Sequence, residues 1–299
     1  MKVLVTGSSG FLGSALTRSL TTGGHSVTRL VRPGTKPGPS QIVWDPSAGR
    51  LDPNSIEGFD AVLSLAGENI AGGRWTPERK RLLRDSRVKS TLLLAETLAR
   101  LSRQPRVLVA ASATGYYGDR GDEMLTEASA PGSGFLAEVC RAWEDSTRPA
   151  AAAGIRVVNV RFGIVLSAAG GALAKMLPPF KAGVGGPVGS GRQYMSWIAL
   201  DDVVRVIEHA FVTDSLAGPV NVVAPEPLTN REFARTLGRV LGRPALLPLP
   251  AFAVRLLFGE MGDALLIASA RVRPSRLEAA NYRFLYPELE GALRRLLGR

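Results

Sequence analysis

Short apolar runs alternate with amphipathic segments along the first half of the chain. The first run, at Val3, Leu4 and Val5, predicts a buried strand. A helix is predicted from Phe11 to Thr21, and a second strand from His25 to Arg32. Strands of a parallel sheet covered on both faces are apolar throughout, so this alternation predicts a doubly wound α/β sheet.

The same alternation continues beyond the second strand. Strands are predicted at 60–66, 107–111 and 157–165, and helices at 77–101 and 135–153. This order of elements is that of a Rossmann fold. The leucines expected on the apolar side of the longer helix are Leu82, Leu83, Leu92, Leu93 and Leu94.

Beyond about residue 166 the pattern loosens into loops rich in glycine and proline, and then into helical segments broken by proline. We therefore predict a Rossmann domain over residues 1–230, with inserted substrate-side segments from about 166. A smaller, mainly helical C-terminal lobe is predicted over 231–299, closing over the ligand cleft.

Three glycines punctuate the turn between the first strand and the first helix. Gly7 permits a sharp turn, Gly10 lets a pyrophosphate approach the backbone, and Gly13 lets the helix pack close to the sheet. The free amides of Phe11, Leu12 and the rest of the first helical turn can bind phosphate. The alternative is a tight turn that binds no ligand.

The amino-acid composition restricts the class of protein and its expected location. The chain has 299 residues with 45% hydrophobic and 21% charged, an ordinary globular balance. Cys140 is the only cysteine, so an intramolecular disulfide is impossible and a metal cluster is not expected. We expect no signal peptide, because the first apolar run is the predicted first strand itself. A membrane span is not expected, because no apolar run reaches about 20 residues. A cytoplasmic location is therefore predicted.

The formal net charge of +11 raises the question of nucleic-acid binding. No stripe of base-stacking aromatic residues accompanies the basic runs, so we interpret them as solvated helix faces and do not expect a nucleic-acid partner. One or two of the arginines are candidates for phosphate binding. Oligomerisation is left open.

Several motifs carry a resemblance to a known family. TGSSGFLG at 6–13, LAG at 65–67, SATGYYG at 112–118 and GSGRQYMSWIALDDV at 189–203 resemble the extended short-chain dehydrogenase/reductase superfamily, in its NAD(P)-dependent epimerase/dehydratase group. ENIAGGRWT and GFLAEVCRAWE resemble the branch labelled epimerase family protein. Residues 247–297 are similar to the C-terminal domain of unknown function of that branch.

The resemblance implies a catalytic Tyr-x-x-x-Lys pair, but Phe135 and Val139 stand at the expected positions. Neither side chain can transfer a proton, and losing a positioned acid–base group typically slows a reaction about 10²–10⁴-fold. A different group must then donate the proton if the chain is a catalyst. The candidates are Tyr116, Tyr117, Glu138 and Glu68.

The SATGYYG loop supplies the preferred catalytic candidates, which are Ser112, Thr114, Tyr116 and Tyr117. Either hydroxyl of Ser112 or Thr114 could reach a substrate carbonyl, and the alternative is that they cap backbone groups. A free phenol, with a pKa of about 10, is protonated at pH 7 and can donate but not accept a proton. That favours carbonyl reduction over alcohol oxidation; the alternative is a purely structural tyrosine pair.

Two further positions depart from the nucleotide-sugar enzymes of the group. Met195 stands where an arginine grips the diphosphate of the sugar nucleotide, and Ile164 stands where an asparagine is expected. Neither side chain can bind a diphosphate, so an activated-sugar substrate is not expected. Ile164 remains a candidate neighbour of the cofactor.

The end of the second strand bears on the choice of nicotinamide cofactor. NAD-specific folds place a carboxylate there to hold the ribose 2′-hydroxyl, whereas this chain has Arg32, followed by Lys36. A guanidinium can bind a 2′-phosphate through two charge-assisted hydrogen bonds. The sequence therefore predicts NADP(H); the alternative is one more exposed arginine.

The loop after the predicted strand at 60–66 completes the candidate cofactor site. Leu65, Ala66, Gly67 and Glu68 lie at the carboxyl edge of the sheet, where doubly wound folds bind ligands. Arg87 stands at a position near the nicotinamide in the superfamily and could touch a pyrophosphate or an anionic substrate. Its alternative role is that of an ordinary arginine on an amphipathic helix.

Two functions follow from these features. The first is an NADP(H)-dependent oxidoreductase or epimerase-like enzyme that acts on a small carbonyl or hydroxyl compound. The second is a non-catalytic NADP(H)-binding protein with a regulatory or redox-sensing role.

Overall fold

The computed structural model describes residues 1–34 and 37–299. Lys36, which follows Arg32 in the segment without a carboxylate, lies outside the described residues. Within the described part no helix is long and apolar enough to cross a membrane.

Strands and helices alternate through most of the chain. The strands are β1 (Lys2–Thr6), β2 (Ser26–Val31), β3 (Gln41–Val43), β4 (Ala61–Ser64), β5 (Val107–Ala113), β6 (Met124–Leu125), β7 (Arg156–Phe162), β8 (Ile164–Ser167), β9 (Tyr194–Met195), β10 (Trp197–Ala199), β11 (Gly218–Val222), β12 (Leu228–Thr229) and β13 (Arg271–Val272). The helices are α1 (Phe11–Thr22), α2 (Pro77–Ala99), α3 (Phe135–Asp145), α4 (Arg148–Ala152), α5 (Gly171–Lys181), α6 (Leu200–Val212), α7 (Asn230–Leu241), α8 (Ala251–Phe258), α9 (Glu260–Gly262), α10 (Ser275–Ala279) and α11 (Leu289–Leu297).

Seven parallel strands form the central sheet in the order β11-β7-β5-β4-β1-β2-β3. The order reverses beside β1, so the carboxyl ends of β1 and β4 flank a crevice of the kind that binds ligands in doubly wound folds. The predicted fold class is confirmed. The short edge strand β3 was not predicted, because three partly exposed residues give too little apolar periodicity.

Side chains of the sheet alternate between two hydrophobic cores. Val3 and Val5 face one core, together with Leu16 of α1 and Val206 of α6. Leu4 faces the other core, which α2 and α4 cover. Because both faces are buried, the strands carry apolar residues at every position, as the sequence pattern indicated.

Three details differ from the sequence-based expectations. The helix predicted over 135–153 is interrupted between α3 and α4, where Thr147 precedes α4 and Pro149 lies in the first turn of α4. The strand predicted over 157–165 is broken at Gly163, where a Cβ atom would lie 2.5 Å from the Ser196 carbonyl oxygen. In α2, Leu82 and Leu92 are exposed instead of facing the core.

A third hydrophobic cluster forms the core of the C-terminal part of the fold. It joins Leu173 and Phe180 of α5 and Trp197 of β10 to Phe233 of α7 and Leu293 of α11. The C-terminal region is mainly helical, as predicted. The cluster draws on residues from both sides of residue 230, and the domain division there stays a prediction.

Candidate functional site

Two of the three glycines in the first turn are required by the protein's own packing. Gly7 has φ +67°, and a Cβ atom there would lie 2.7 Å from the Leu65 carbonyl carbon. A Cβ atom at Gly13 would lie 2.1 Å from the Gly7 carbonyl oxygen, so any side chain would push α1 away from the turn. These glycines set the tight connection between β1 and α1.

Gly10 differs, because the protein's own packing restricts a side chain there much less. Its φ of −74° and ψ of 173° are open to any residue. A Cβ atom would meet only the Gly7 carbonyl oxygen, at 3.3 Å, and otherwise points into open space. Open space above a glycine at a helix N-terminus fits a pyrophosphate that approaches the backbone.

The start of α1 leaves its amides available. Gly10 caps the helix without a side-chain hydrogen bond, and the first turn contains no acidic residue. Leu12 packs against the core, and the ring of Phe11 lies against Gly170 and Gly171, where added Cβ atoms would come within 2.8 and 3.2 Å. Both side chains therefore point to protein, while their backbones remain at the turn.

Thr6, a residue that the sequence analysis did not single out, fixes the loop after β4. Its buried hydroxyl accepts hydrogen bonds from the amides of Leu65 and Ala66, at 3.0 and 3.1 Å. The bonds join the carboxyl ends of β1 and β4 on the edge where the glycine turn lies. A hydroxyl residue at the last position of a buried strand was the available signal.

Arg87, on α2, also holds the loop after β4 in place. Its two terminal nitrogens donate to the carbonyl oxygens of Leu83 and Glu68, both at 2.9 Å, and its side chain lies against Gly67. Burial lowers the pKa of this guanidinium. With both terminal nitrogens bonded to backbone, Arg87 positions the loop, and contact with an anion would require it to release a carbonyl.

Arg32 lies at the end of β2 with its side chain 81% exposed. The Glu68 carboxylate is 3.7 Å from both Arg32 and Arg79, so it bridges the end of β2 and the first turn of α2. Pairs at this distance in solvent are weak. The Arg32 guanidinium is thus accessible to an incoming anion.

A buried polar network lies under the carboxyl end of β5. The Ser112 hydroxyl donates to Glu144 at 2.6 Å, and Arg161 binds the same carboxylate through two hydrogen bonds of 2.8 Å. Arg161 also donates to the Tyr117 hydroxyl at 3.0 Å. Burial alone would lower the pKa of this guanidinium, but the hydrogen bonds and charge of Glu144, together with Tyr117, outweigh burial and raise the pKa above its ordinary value.

Tyr117 belongs wholly to this network. It is completely buried, and its hydroxyl is bonded to the Thr126 carbonyl at 3.0 Å and to the Asn221 side chain at 2.7 Å. Burial raises the pKa of this phenol. Tyr117 and Ser112 therefore have the environment of structural residues, which gives their predicted catalytic roles no support.

Tyr116 and Thr114 have a different environment on the same turn. Both are partly exposed, and no residue within 1–34 or 37–299 hydrogen-bonds to the Tyr116 hydroxyl. The Tyr116 ring packs edge-on against Tyr117, at 5.3 Å between ring centroids. The two neighbouring phenols therefore differ, because Tyr117 is enclosed and the Tyr116 hydroxyl remains available.

The family resemblance inferred from the motifs is supported by comparison with known proteins. A family model described as NAD dependent epimerase/dehydratase family matches residues 3–223, and a domain of unknown function matches 249–296. The chain belongs to the NAD-dependent epimerase/dehydratase family. The C-terminal match confirms the resemblance proposed for residues 247–297.

Relatives in this family match nearly the whole chain. An epimerase family protein of Mycobacterium tuberculosis is 45% identical over 97% of this chain and 96% of its own length. Human epimerase family protein SDR39U1 is 38% identical over 99% of this chain and 100% of its own. A crystal structure of human SDR39U1 with NADPH superposes with a TM-score of 0.90 at 36% identity, covering 100% of both chains.

Phe135 and Val139 are the residues that the sequence analysis places at the positions of the expected acid–base pair. Phe135 is the first residue of α3, and its ring packs edge-on against Trp75 at 5.0 Å between centroids. Val139 lies one turn later and is only 3% exposed. An aromatic contact and a buried aliphatic side chain stand where the family's tyrosine and lysine are expected.

The two positions linked to nucleotide sugars are also apolar in their surroundings. Met195 is buried in the C-terminal cluster, and its sulfur accepts a hydrogen bond from Asn230. Ile164 packs against the same cluster, and its amide donates to the Ser196 carbonyl at 2.8 Å. Ile164 begins β8, which leaves the central sheet to pair with β10.

Proposed function

We propose that the chain is an NADP(H)-dependent oxidoreductase of the epimerase/dehydratase family that acts on a small carbonyl or hydroxyl compound. The open space at Gly10 carries the proposal, because its backbone angles are open to any residue and a Cβ atom there would meet a single protein atom, the Gly7 carbonyl oxygen at 3.3 Å. A pyrophosphate bound to the first turn of α1 explains this open space. The NADPH in human SDR39U1 gives further support.

Arg32 favours NADP(H) over NAD(H) in this proposal. Its guanidinium is at the end of β2 and is largely exposed, and within residues 1–34 and 37–299 its one ion pair is the weak pair with Glu68. A bidentate, charge-assisted contact with the 2′-phosphate contributes about 1.5–3 kcal/mol. NAD(H) lacks that phosphate and loses this contribution.

The proposed chemistry pairs the cofactor with a phenol from the SATGYYG turn. NADPH, when bound, supplies a hydride to the carbonyl carbon and is thereby oxidised to NADP⁺. Tyr116 donates its proton to the carbonyl oxygen, so the carbonyl becomes an alcohol, and the phenolate then takes a proton from water. Thr114 is the proposed hydrogen-bond donor to the same oxygen.

Calorimetry tests the cofactor assignment without a known substrate. We expect wild-type protein to bind NADPH at least about tenfold more tightly than NADH, in line with the contact energy above. Arg32→Asp should erase or reverse the preference. Arg18→Asp, on α1, is the matched control and should leave it unchanged. Equal affinities of the wild type for NADPH and NADH would refute the assignment.

A non-catalytic NADP(H)-binding role is the second candidate. The observation that favours it is the loss of the family's acid–base pair to Phe135 and Val139, together with the enclosure of Tyr117. Incubation of the protein with NADPH and a panel of carbonyl compounds separates the two. Oxidation of NADPH that Tyr116→Phe abolishes supports the enzyme, and binding without oxidation supports the regulatory protein.

A further inference from the structure

Three arginines surround a single carboxylate at the carboxyl edge of the sheet. One oxygen of Glu68 lies 3.7 Å from an end nitrogen of Arg32, and the other oxygen lies 3.7 Å from an end nitrogen of Arg79. Burial lowers the pKa of the Arg87 guanidinium, and the charges of Glu68 and Arg79 also act on it. Positive charge therefore exceeds negative charge in this cluster, which favours the arrival of an anion.

The Glu68 side chain is held more loosely than the Glu68 backbone. Its amide donates to the Ser86 hydroxyl at 3.1 Å, and its carbonyl oxygen accepts from Arg87 at 2.9 Å. Both carboxylate distances of 3.7 Å are longer than an N–H···O hydrogen bond, which spans about 2.7–3.2 Å. Rotation of the side chain can therefore release both arginines while the loop stays in place.

Arg79 is not fully satisfied by the protein alone. One end nitrogen donates to the Asn69 carbonyl oxygen at 2.6 Å, and the other faces the Glu68 carboxylate. Its Nε atom is buried and has no hydrogen-bond partner among the residues that the structure describes. The end nitrogen that faces Glu68 is thus available for exchange with a second anion, on the opposite side of the carboxylate from Arg32.

We propose that the Glu68 carboxylate occupies the place of the ribose 2′-phosphate in the free protein, and that the phosphate displaces it to bind Arg32 and Arg79 together. Carboxylate and phosphate oxygens are alternative partners of the same guanidinium nitrogens. A phosphate monoester carries a charge of about −1.5 to −2 at pH 7, against −1 for the carboxylate, so the exchange favours the phosphate. This inference rests on the proposed function and adds a second phosphate ligand and an internal competitor to it.

Two adenine nucleotides isolate the contribution of the 2′-phosphate. Adenosine 2′,5′-bisphosphate and adenosine 5′-monophosphate differ only in that group, so the ratio of their affinities in calorimetry measures its effect. We expect the wild type to favour the bisphosphate at least about tenfold. Arg79→Gln removes the charge but keeps a donor for the Asn69 carbonyl, and should lower the ratio at least about fivefold. Glu68→Gln removes the competing charge and should raise the ratio about two- to fivefold.

A neighbouring ion pair on α2 supplies the matched controls. Glu78 and Arg81 are 3.1 Å apart, and their side chains are 72 and 69% exposed. Glu78→Gln and Arg81→Gln make the same chemical changes outside the cluster. Each should leave the ratio within about 1.5-fold of wild type at about 0.15 M salt, which screens separated surface charges. Retained affinity for the monophosphate shows that each variant is folded.

The outcomes separate this inference from the proposed function. A wild type without preference for the bisphosphate would refute the NADP(H) assignment itself. If the wild type has the preference and Arg79→Gln keeps it in full, Arg79 is not a phosphate ligand and only the inference fails. An unchanged or lower ratio in Glu68→Gln would show that the carboxylate does not compete with the phosphate, which also overturns the inference and leaves the cofactor assignment intact.

Discussion

Arg161 and Tyr116 are stacked, with the guanidinium carbon 3.4 Å from the centroid of the phenol ring. The same guanidinium holds the Glu144 carboxylate from its edge through two hydrogen bonds. One buried cation thus fixes a carboxylate in its own plane and an aromatic ring against its face. The orientation of Tyr116 consequently depends on the pair formed by Arg161 and Glu144.

Removal of Arg161 should be strongly destabilising. Its side chain is 3% exposed and that of Glu144 is 12% exposed, so Arg161→Met leaves a largely buried carboxylate with the Ser112 hydroxyl as a partner but without its counter-charge. We expect a loss of about 3–5 kcal/mol in the free energy of unfolding, measured by urea denaturation. The double variant Arg161→Met/Glu144→Gln should recover part of this loss, since it removes the unpaired charge. A single variant as stable as wild type would contradict the prediction.

The two neighbouring tyrosines should respond in opposite ways. Tyr117→Phe removes a buried hydroxyl bonded to Asn221 and Arg161, and should lower the free energy of unfolding by about 1–3 kcal/mol. Tyr116→Phe should leave stability unchanged and reduce NADPH-dependent carbonyl reduction about 10²–10⁴-fold. Full reductase activity in Tyr116→Phe, on a substrate that the wild type reduces, would exclude this phenol as the donor.

The glycines of the first turn offer a comparison of ligand binding with folding. Gly10→Val should abolish NADPH binding in calorimetry, because the valine side chain enters the proposed pyrophosphate space. The free energy of unfolding should change by no more than about 1 kcal/mol, because a Cβ atom there meets a single protein atom. Gly13→Val should instead disrupt folding, because its side chain meets the Gly7 backbone. Normal NADPH affinity in Gly10→Val would show that the phosphate lies elsewhere.

Cys140 should give the protein a distinct sensitivity to alkali. Burial, with a further contribution from the Glu144 charge, raises the pKa of this thiol to about 12. Between about pH 9 and 12 the unfolded chain loses the thiol proton and the folded chain keeps it, so stability falls as pH rises, by about 1.4 kcal/mol per unit. In Cys140→Ala, the free energy of unfolding should decline less steeply between pH 9 and 11, by about 1.4 kcal/mol per pH unit, as measured by denaturation. Identical slopes would refute the assignment.

The parts of the site that are predictable from sequence are local in the chain. Gly7, Gly10 and Gly13 lie within one turn between a strand and a helix, so their spacing alone predicts the geometry. The substitution at Phe135 is likewise read from one motif. The sheet follows from apolar runs, because both of its faces are buried.

The buried network was not predictable from the same patterns. Ser112 and Glu144 are 32 residues apart, and Tyr117 and Asn221 are 104 apart, so no local spacing connects them. SATGYYG was singled out as a source of hydroxyl groups, and only the tertiary packing distinguishes the enclosed Tyr117 from the open Tyr116. For Arg87, a position near the loop was predictable, but the carbonyl oxygens that its nitrogens bind were not.

The burial of Val139 makes the departure from the usual family chemistry difficult to reverse. Replacing Phe135 and Val139 with tyrosine and lysine would restore the motif in the sequence alone. The new ammonium would occupy a site that is 3% exposed, beside the buried Cys140 thiol, and such surroundings drive a lysine to give up its proton. The residues packed around Val139 on α3 would have to change as well before a tyrosine and a lysine at these two positions could act as an acid–base pair.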